Sequence, residues 1–337
     1  MAGLTAILKA LARVERRDQK TFQSVVGNNF FFVTILLIGP AGGFIYLIIG
    51  LVLLFPLSTD PLRKIPASRL KSWPLERRQR RLLRALSPWV NPVTWVLAAL
   101  ALWSARGHLS LGLWVLAAAL VVAAFLLSDL PLARLGAAAR AIPPFPGSLN
   151  QLIRKNLREM LATLDFYCAA LLSAATLGYR MFVRPLPPEA FLAITVLVML
   201  ALSSYAQCLF GLDGAGGLSR YHLLPLRGWQ ILAAKDAAFL LIAIPLSLPL
   251  APLAGIGAAS IALAIGHEPS VSRLRPQTRW RFSAGASVML GLLQAAVMTA
   301  AASGIYFNGA WVLLPCLAAW LLSLWGCGRL IDRQPAV

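Results

Sequence analysis

Side chains that could do chemistry are concentrated in one polar stretch, residues 210–236, which lies between two long apolar runs. Five of them have side chains that can exchange protons: Asp213, Tyr221, His222, Lys235 and Asp236. Such groups are the usual equipment of general acid–base catalysis, so the first four are the candidate set for a membrane enzyme acting on lipid-linked or anionic lipid substrates. A local hydrogen-bonded pair with a structural role is the alternative interpretation.

Sequence motifs for nucleotide and metal binding are absent. No Gly-x-x-x-x-Gly-Lys-Ser/Thr phosphate loop occurs, and the glycine cluster at 214–217 lacks both the lysine and the preceding strand. The sequence therefore predicts that the chain binds neither ATP nor another cofactor directly. The pattern His-Glu-x-x-His is missing and the cysteines stand singly in apolar runs, so no metal site or disulfide is predicted at Cys168, Cys208, Cys316 or Cys327.

Ionisable groups are scarce inside the apolar runs. Four aspartates stand at the ends of the runs, where helix capping and snorkelling explain them: Asp129, Asp165, Asp213 and Asp236. The three histidines, His108, His222 and His267, are assigned to three different loops. An ion-coupled pump or an intramembrane protease needs buried ionisable groups, so both classes are disfavoured.

The elements that must position these residues are membrane helices. Hydrophobic residues make up 59% of the 337-residue chain, and several apolar runs approach the roughly 20 residues that cross a bilayer. The predicted fold class is therefore all-α, a polytopic helical membrane protein. The net charge of +19 gathers between the runs, which indicates cytoplasmic loops in contact with anionic lipid headgroups rather than nucleic acid.

About ten membrane-embedded helices in hairpins are predicted, with the N- and C-termini cytoplasmic. Residues 4–20 form an amphipathic helix expected in the membrane interface. Residues 29–57 are broken by a Gly-Pro-Gly cluster and cross once, cross twice or re-enter; the basic flanks favour a hairpin. The other hairpins are predicted at 92–104 with 111–128, 166–182 with 190–212, 237–266, and 284–304 with 309–328.

An internal repeat divides the chain into two predicted modules, residues 1–140 and residues 150–337. Each module places a basic amphipathic helix before an apolar hairpin, and the pattern Arg-x-x-x-(Trp/Leu)-Pro-Leu-x-x-x-Gln follows. The first copy comprises Arg69, Trp73, Pro74, Gln79 and Arg84, and the second comprises Arg220, Leu224, Pro225, Gln230 and Lys235. Internal repeats are common in transporters, where the transport route lies between them.

The second copy is predicted to form a contact surface on the cytoplasmic side. Pro225 can start a short helix, residues 226–236, that presents Arg227, Trp229 and Gln230 to a protein partner. An interfacial helix whose tryptophan lies in the headgroup belt is the alternative.

Polar residues also occur within the predicted membrane helices. They either line a transport route or form hydrogen bonds between helices. The candidates are Ser203, Ser204, Tyr205, Gln207 and Gln294.

The stretch from Phe210 to Asp236 resembles a motif of the permease subunits of ABC-2-type exporters. The matching residues are Phe210-Gly-Leu-Asp213-Gly, Tyr221, Leu224-Pro225-Leu226, Ile231-Leu232 and Lys235-Asp236. Family members often carry asparagine at the position of Asp236. The run Arg154-Lys155-Asn-Leu-Arg158-Glu159 resembles the short amphipathic helix before their first membrane span.

The resemblance implies the membrane-spanning subunit of an ATP-driven exporter in the bacterial cytoplasmic membrane, itself not an enzyme. A separate P-loop ATPase subunit would dock on the cytoplasmic loops, and the permease would work as a homodimer or heterodimer. The implied contact residues are Asp213, Arg220, Tyr221, Pro225, Arg227, Trp229, Gln230, Lys235 and Asp236. A lipid-acting enzyme and a membrane assembly subunit without transport activity are the alternatives.

Overall fold

The computed structural model is helical and contains no β-strand in the part of the chain that it describes. The described residues are 2–17, 28–29, 62, 65, 69–70, 72–73, 75–90, 95, 149–182, 188–213, 220–221, 223–273, 277 and 282–333. The hairpins predicted at 29–57 and at 92–104 with 111–128 lie outside these residues, apart from Asn29 and Trp95. Contacts divide the chain into two compact units, Met1–Gln23 with Leu37–Pro131, and Ser24–Leu36 with Leu132–Val337.

The described part of the first unit is a small helical cluster. Helix α1 spans Ala2–Arg17, helix α2 spans Arg77–Leu86, and a 3-10 turn follows at Ser87–Val90. Leucines from both helices meet in one buried core, which comprises Leu11, Leu62 and Leu83. The amphipathic helix predicted at 4–20 is thus a helix whose apolar stripe packs within this unit, and its place in a membrane interface stays a prediction.

The described part of the second unit is a bundle of longer helices. They are α3 (Asn150–Met160), α4 (Leu164–Phe182), α5 (Pro188–Ala206), α6 (Gly228–Ser247), α7 (Pro252–Ser272), α8 (Val288–Asn308) and α9 (Leu313–Arg333), with 3-10 turns at Gly211–Asp213 and Ala310–Val312. Helix α7 lies at the centre and packs on α5, α6, α8 and α9. Helix α3 packs on α6, and α4 packs on α5.

Among the residues that the structure describes, four helical segments are long and apolar enough to cross a membrane: Pro188–Ala206, Gly228–Ser247, Val288–Asn308 and Ala310–Arg333. A fifth crossing results if α3 and the first part of α4, which meet at an angle of 76°, count as one broken span. The all-α class is therefore confirmed for the described residues, and four or five of their helices could span a membrane. The total of about ten membrane-embedded helices stays a prediction.

Helix α6 corrects the prediction of a separate short helix at 226–236 followed by a hairpin at 237–266. One continuous helix runs from Gly228 to Ser247, the chain reverses before Pro252 within the predicted hairpin, and α7 continues beyond residue 266 to Ser272. The polar pair Lys235 and Asp236 does not end the helix because both side chains are buried and have partners inside the bundle. Hydropathy alone makes such a pair look like the edge of a membrane segment.

Helices α5 and α7 approach each other closely at Gly266. A Cβ atom added at this glycine would lie well inside van der Waals contact with the carbonyl oxygen of Ala206. A small residue is needed here because neither of the two helix backbones can give way to a side chain.

We expect Gly266→Ala to lower the free energy of unfolding by about 1 to 3 kcal/mol, the usual cost of overpacking a fitted contact. Gly326→Ala is the matched control, because a Cβ added in the middle of α9 meets open space. Alanine in a helix interior stabilises by about 0.5 to 1 kcal/mol relative to glycine. Thermal unfolding of both purified variants in detergent checks this, and equal unfolding temperatures would contradict the close approach of α5 and α7.

Candidate functional site

The candidate site is a buried cluster, here called the lysine–aspartate cluster, that comprises Lys155, Asp213, Tyr221 and Lys235. Each carboxylate oxygen of Asp213 accepts from one lysine: Oδ2 lies 2.8 Å from Lys235 Nζ, and Oδ1 accepts a short hydrogen bond from Lys155 Nζ. The Tyr221 hydroxyl donates to Oδ1 at 2.8 Å. The cluster thus joins α3, the 3-10 turn after α5, the loop before α6 and α6 itself.

Lys235 is a buried lysine whose three ammonium protons all have acceptors. Besides Asp213 Oδ2, they reach the Leu209 carbonyl oxygen at 2.8 Å and Asn156 Oδ1 at 3.2 Å. The ammonium group also lies 4.6 Å from the ring centre of Phe210, within the range of a cation–π contact. A charge this deep in the fold is tolerated because every proton is satisfied.

Two members of the cluster, Asp213 and Tyr221, have a defined protonation state at neutral pH. Burial raises the pKa of Asp213, but the charge of Lys235 and the hydrogen bonds from Lys155 and Lys235 outweigh it, so the pKa is lowered below its ordinary value. Burial and the neighbouring Asp213 carboxylate raise the pKa of Tyr221 far above its ordinary value. Asp213 is therefore an anion and Tyr221 a neutral donor, which suits a structural contact better than acid–base exchange near pH 7.

The outer side of the same loop is exposed. Leu223 is 83% exposed and Trp229 is 41% exposed, next to the exposed side chains of Arg220 and Arg227. The surface formed by residues 220–229 is here called the loop tip. It combines apolar groups and cations, and its base is joined to the bundle through the lysine–aspartate cluster.

A second contact holds the loop tip from the C-terminal helix. Asp332 Oδ1 on α9 accepts a hydrogen bond of 2.6 Å from the Gly228 N–H at the start of α6. A Cβ atom added at Gly328 would lie 2.6 Å from the Trp229 Cα atom, so α9 passes directly against this first turn. The start of α6 therefore has little freedom to move by itself.

The predicted contact residues divide into an outer and an inner set. The outer set is exposed and comprises Arg220, Pro225, Arg227 and Trp229, with Gln230 half-buried. The inner set has buried side chains engaged with the fold and comprises Asp213, Tyr221, Lys235 and Asp236. The inner residues hold the loop rather than present themselves to a partner, and His222 lies outside the described residues.

The two copies of the predicted repeat share a local hydrogen bond. In the first copy the Glu76 N–H donates to Gln79 Oε1 at 3.3 Å, and in the second the Arg227 N–H donates to Gln230 Oε1 at 2.9 Å. Each glutamine thereby caps the first turn of its helix, α2 or α6. The two-module organisation itself stays a prediction.

The remaining first-copy residues are only partly described. Arg69 is exposed and Trp73 is half-buried. Pro74 and the Arg84 side chain lie outside the described residues, so the pairing of Arg84 with buried Lys235 in the repeat stays a prediction.

The candidate route residues form a buried network between helices. Gln294 Oε1 accepts from Asn29 Nδ2 at 2.8 Å and from Gln207 Nε2 at 2.7 Å, while Gln294 Nε2 donates to the Ala262 carbonyl oxygen at 2.7 Å. Ser203 and Ser204 accept bonds from Asn29, at 3.1 Å and 2.7 Å. Tyr205 is also buried. These bonds have the form of the helix–helix alternative, and the lining of a route stays a prediction.

Three aspartates assigned to capping or snorkelling at helix ends have buried side chains instead, which is a correction: Asp165, Asp213 and Asp236. Asp165 Oδ1 accepts from Asn28 Nδ2 at 2.9 Å, and its Oδ2 accepts from Ser283 Oγ at 2.6 Å. Asp236 is paired with His267, a residue assigned to a loop that lies within α7. Buried ionisable groups are therefore present, so their scarcity no longer disfavours an ion-coupled pump or an intramembrane protease.

Sequence reasoning missed the pair of Asp236 and His267. The two residues lie on opposite arms of the α6–α7 hairpin at comparable distances from its turn, just outside the predicted range 237–266, so longer predicted arms would have brought them together. The Nε2 atom of His267 lies 3.0 Å from Asp236 Oδ1 and 3.1 Å from Oδ2.

The relationship of this chain to known proteins is not revealed by comparison. Models of protein families, curated proteins and solved structures give no match. Within the described residues, no three His, Cys, Asp or Glu side chains converge as a metal site would require. The resemblance to exporter permeases therefore enters below only as a proposal.

We expect Lys235→Met to lower the free energy of unfolding by about 3 kcal/mol, because it leaves a buried Asp213 carboxylate short of one partner. Lys155→Met is the matched control, since the Lys155 side chain is 43% exposed although it binds the same carboxylate. Its removal should cost about 1 kcal/mol or less. Equilibrium unfolding of both variants in detergent measures the difference, and equal losses would contradict the buried role of Lys235.

A second prediction concerns how the contribution of Asp213 to stability changes at acid pH. Because the folded-state pKa of Asp213 is lowered, its contribution to stability is complete above the ordinary value of 3.8 and is lost as the pH falls below it. We therefore expect the difference in unfolding temperature between the wild type and Asp213→Asn to be constant above about pH 5 and to shrink at lower pH. A difference that grows on acidification would contradict the ionised state of Asp213.

Proposed function

We propose that this chain is the membrane-spanning subunit of an ATP-driven exporter of the ABC type, and that a separate P-loop ATPase subunit docks on the loop tip. The chain itself would bind no ATP and would not be an enzyme. The observation that carries the proposal is the exposed loop tip of apolar and cationic side chains, held on a rigid base by the lysine–aspartate cluster.

Four residues of the motif meet at one point in the fold: Phe210, Asp213, Tyr221 and Lys235. The ring centres of Phe210 and Tyr221 lie 5.9 Å apart in an edge contact, and Lys235 contacts both rings. Residues that are up to 25 positions apart in the motif thus form one structural unit. This supports the proposal that the motif stabilises a defined loop.

The loop tip has the composition of a protein-binding surface. Tryptophan and arginine are favoured anchors of interfaces, and a rigid surface loses less entropy on binding than a mobile one. Leu223 and Leu224 add apolar area that the fold of this chain leaves exposed. A partner groove with an apolar floor and an acidic rim would complement these groups.

The same hypothesis specifies the topology, the lipid contacts and the oligomeric state of the chain. The loop tip and both termini would lie on the cytoplasmic side of a bacterial inner membrane, with about ten membrane-embedded helices in the whole chain. The basic loops would contact anionic lipid headgroups. The permease would act as a homodimer or a heterodimer.

The alternative of a lipid-acting enzyme gains little from the geometry. Of its candidate residues, Asp213, Tyr221 and Lys235 are engaged with one another. A chain of contacts links Asp236 to His267 and His267 to Ser323, as in a nucleophilic triad. Ser323 Oγ, however, donates to the Ala264 carbonyl oxygen at 2.7 Å. This bond directs the Ser323 proton away from His267, which does not favour an activated nucleophile. A membrane assembly subunit without transport activity is the remaining alternative.

The test is purification of the tagged full-length chain from its native membrane in mild detergent, with identification of co-purifying proteins and an ATP hydrolysis assay. We expect a P-loop ATPase to co-purify and Arg227→Ala/Trp229→Ala to lower its recovery and hydrolysis about tenfold, the loss of about 1.4 kcal/mol of contact energy. The variant should fold, because the helix cap at Arg227 uses the backbone N–H.

The matched control is Trp325→Ala/Arg329→Ala on α9. This pair is also exposed and has the same side-chain types, with the guanidinium 3.7 Å from the ring centre. Loss of the ATPase in the loop-tip variant alone supports docking at residues 220–229. Equal recovery and hydrolysis in both variants would contradict the contact, and a preparation without any ATPase would overturn the exporter proposal.

A further inference from the structure

An apolar groove lies between the end of α3, the start of α4 and the second half of α6. It has a volume of about 260 Å³, and its lining includes Leu157, Leu161, Phe166, Leu241, Pro245 and Leu246. The described side chains that line it are all apolar, so it lacks the polar groups that fix a soluble ligand. Leu241 and Pro245 are exposed, so the groove opens on the surface of the bundle.

The groove has the depth of one lipid leaflet along α6. Asn156 of α3 meets α6 at Lys235, through a hydrogen bond of 3.2 Å. Leu241 and Leu246 follow Lys235 by six and eleven residues, which places them about 9 to 17 Å further along the helix. A single leaflet supplies half of a hydrocarbon core that is about 30 Å thick. The groove therefore begins near the level of α3 and extends toward the middle of a bilayer that α6 crosses.

Helix α3 has the orientation of a helix that lies in the membrane interface. It meets the first part of α4 at 76°, so it runs nearly parallel to the bilayer plane when α4 crosses the bilayer. An amphipathic helix in this position places its polar side chains among the lipid headgroups. The mouth of the groove, beside α3, then lies at headgroup level.

Two arginines share the side of α3 that lines the groove. Arg154, Leu157, Arg158 and Leu161 are spaced by three and four residues, so they lie on one face of the helix. Arg158 is exposed, and its Nε–H donates to the Arg154 carbonyl oxygen at 3.3 Å. A guanidinium group has five N–H donors in a planar fork that fits phosphate oxygens, and the contacts given by the described residues use one of those of Arg158.

The positive charge of this face is not cancelled within α3. The only acidic residue of the helix, Glu159, is buried and lies 3.7 Å from Lys155. Lys155 in turn binds the Asp213 carboxylate. The acidic groups near α3 are thus paired with lysine, and the two arginines give the mouth of the groove a cationic character.

We infer that this groove binds one acyl chain of an anionic phospholipid, and that the phosphate of the same lipid pairs with Arg158 and Arg154. The apolar groove matches the chain, and the cations at headgroup level match the phosphate. The binding site is defined by α3, α4 and α6, so it holds one lipid at a fixed position and is distinct from general attraction of basic loops to the membrane surface. The inference requires that α4 and α6 lie in a membrane, and it does not depend on an ATPase partner.

The test is photo-cross-linking of the purified full-length chain in nanodiscs of phosphatidylcholine. A small fraction of the lipid is phosphatidylglycerol that carries a diazirine in the middle of one acyl chain, and mass spectrometry locates the labelled residues. We expect label on Phe166 and on α6 between Leu241 and Leu246. Phosphatidylcholine with the same diazirine should label these residues about tenfold less, because its headgroup has no net charge for the arginines to attract.

Arginine variants test the headgroup contact. Arg154→Gln/Arg158→Gln removes both charges and keeps long polar side chains, so it should lower the labelling by phosphatidylglycerol about tenfold, to the level of phosphatidylcholine. The matched control is Arg329→Gln/Arg333→Gln on α9, which removes two exposed arginines that are also four residues apart. The control should leave the labelling of the groove unchanged.

A groove-filling variant tests the acyl-chain contact. Leu241→Trp places a larger side chain at a position that is 38% exposed, and it should displace the label from Phe166 and Leu246. Leu321→Trp, on the exposed face of α9, should have no such effect. Equal labelling by the two lipids, unchanged labelling in the arginine variant, or label that avoids the groove would overturn the inference. Specific labelling in a preparation without any ATPase would leave the lipid site standing and overturn the exporter proposal alone.

Discussion

The ion pair between Lys235 and Asp213 is the interaction on which this end of the helix bundle depends. A buried ammonium group needs acceptors for all its protons, and here α3, the segment after α5 and the turn at Asp213 supply them. Because an unpaired charge in the interior is costly, these elements must stay together around α6. The loop before α6 is held in place by the same carboxylate, through Tyr221.

Consecutive residues of α6 join it to two different sets of neighbours. Successive side chains on a helix point about 100° apart, so Lys235 faces α3 and Asp213 while Asp236 faces α7 and α9. Helix α9 also contacts the first turn of α6 through Asp332. In an exporter, a partner that displaced the loop tip would therefore act directly on the central helices.

The helices of the second unit were largely predictable, since apolar runs of membrane length leave few other choices. Four predicted membrane helices correspond to α4, α5, α8 and α9 within a few residues at most boundaries. Their predicted ranges are 166–182, 190–212, 284–304 and 309–328. The Gln230 cap is a local feature of adjacent residues. The start of α6 was misplaced because Lys235 and Asp236 lower the local hydropathy although their side chains are buried.

The sequence by itself determined the all-α membrane class, most helices of the second unit and the polar stretch at 210–236, because these depend on composition and on neighbouring residues. The tertiary structure decided which charges are buried and what they bind. Asp165 meets Ser283 across 118 positions, and His267 meets Asp236 across 31. Hydropathy averages over a window and carries no information about the helix face on which a distant partner lies, so only the packed bundle separates a capping aspartate from a buried ion.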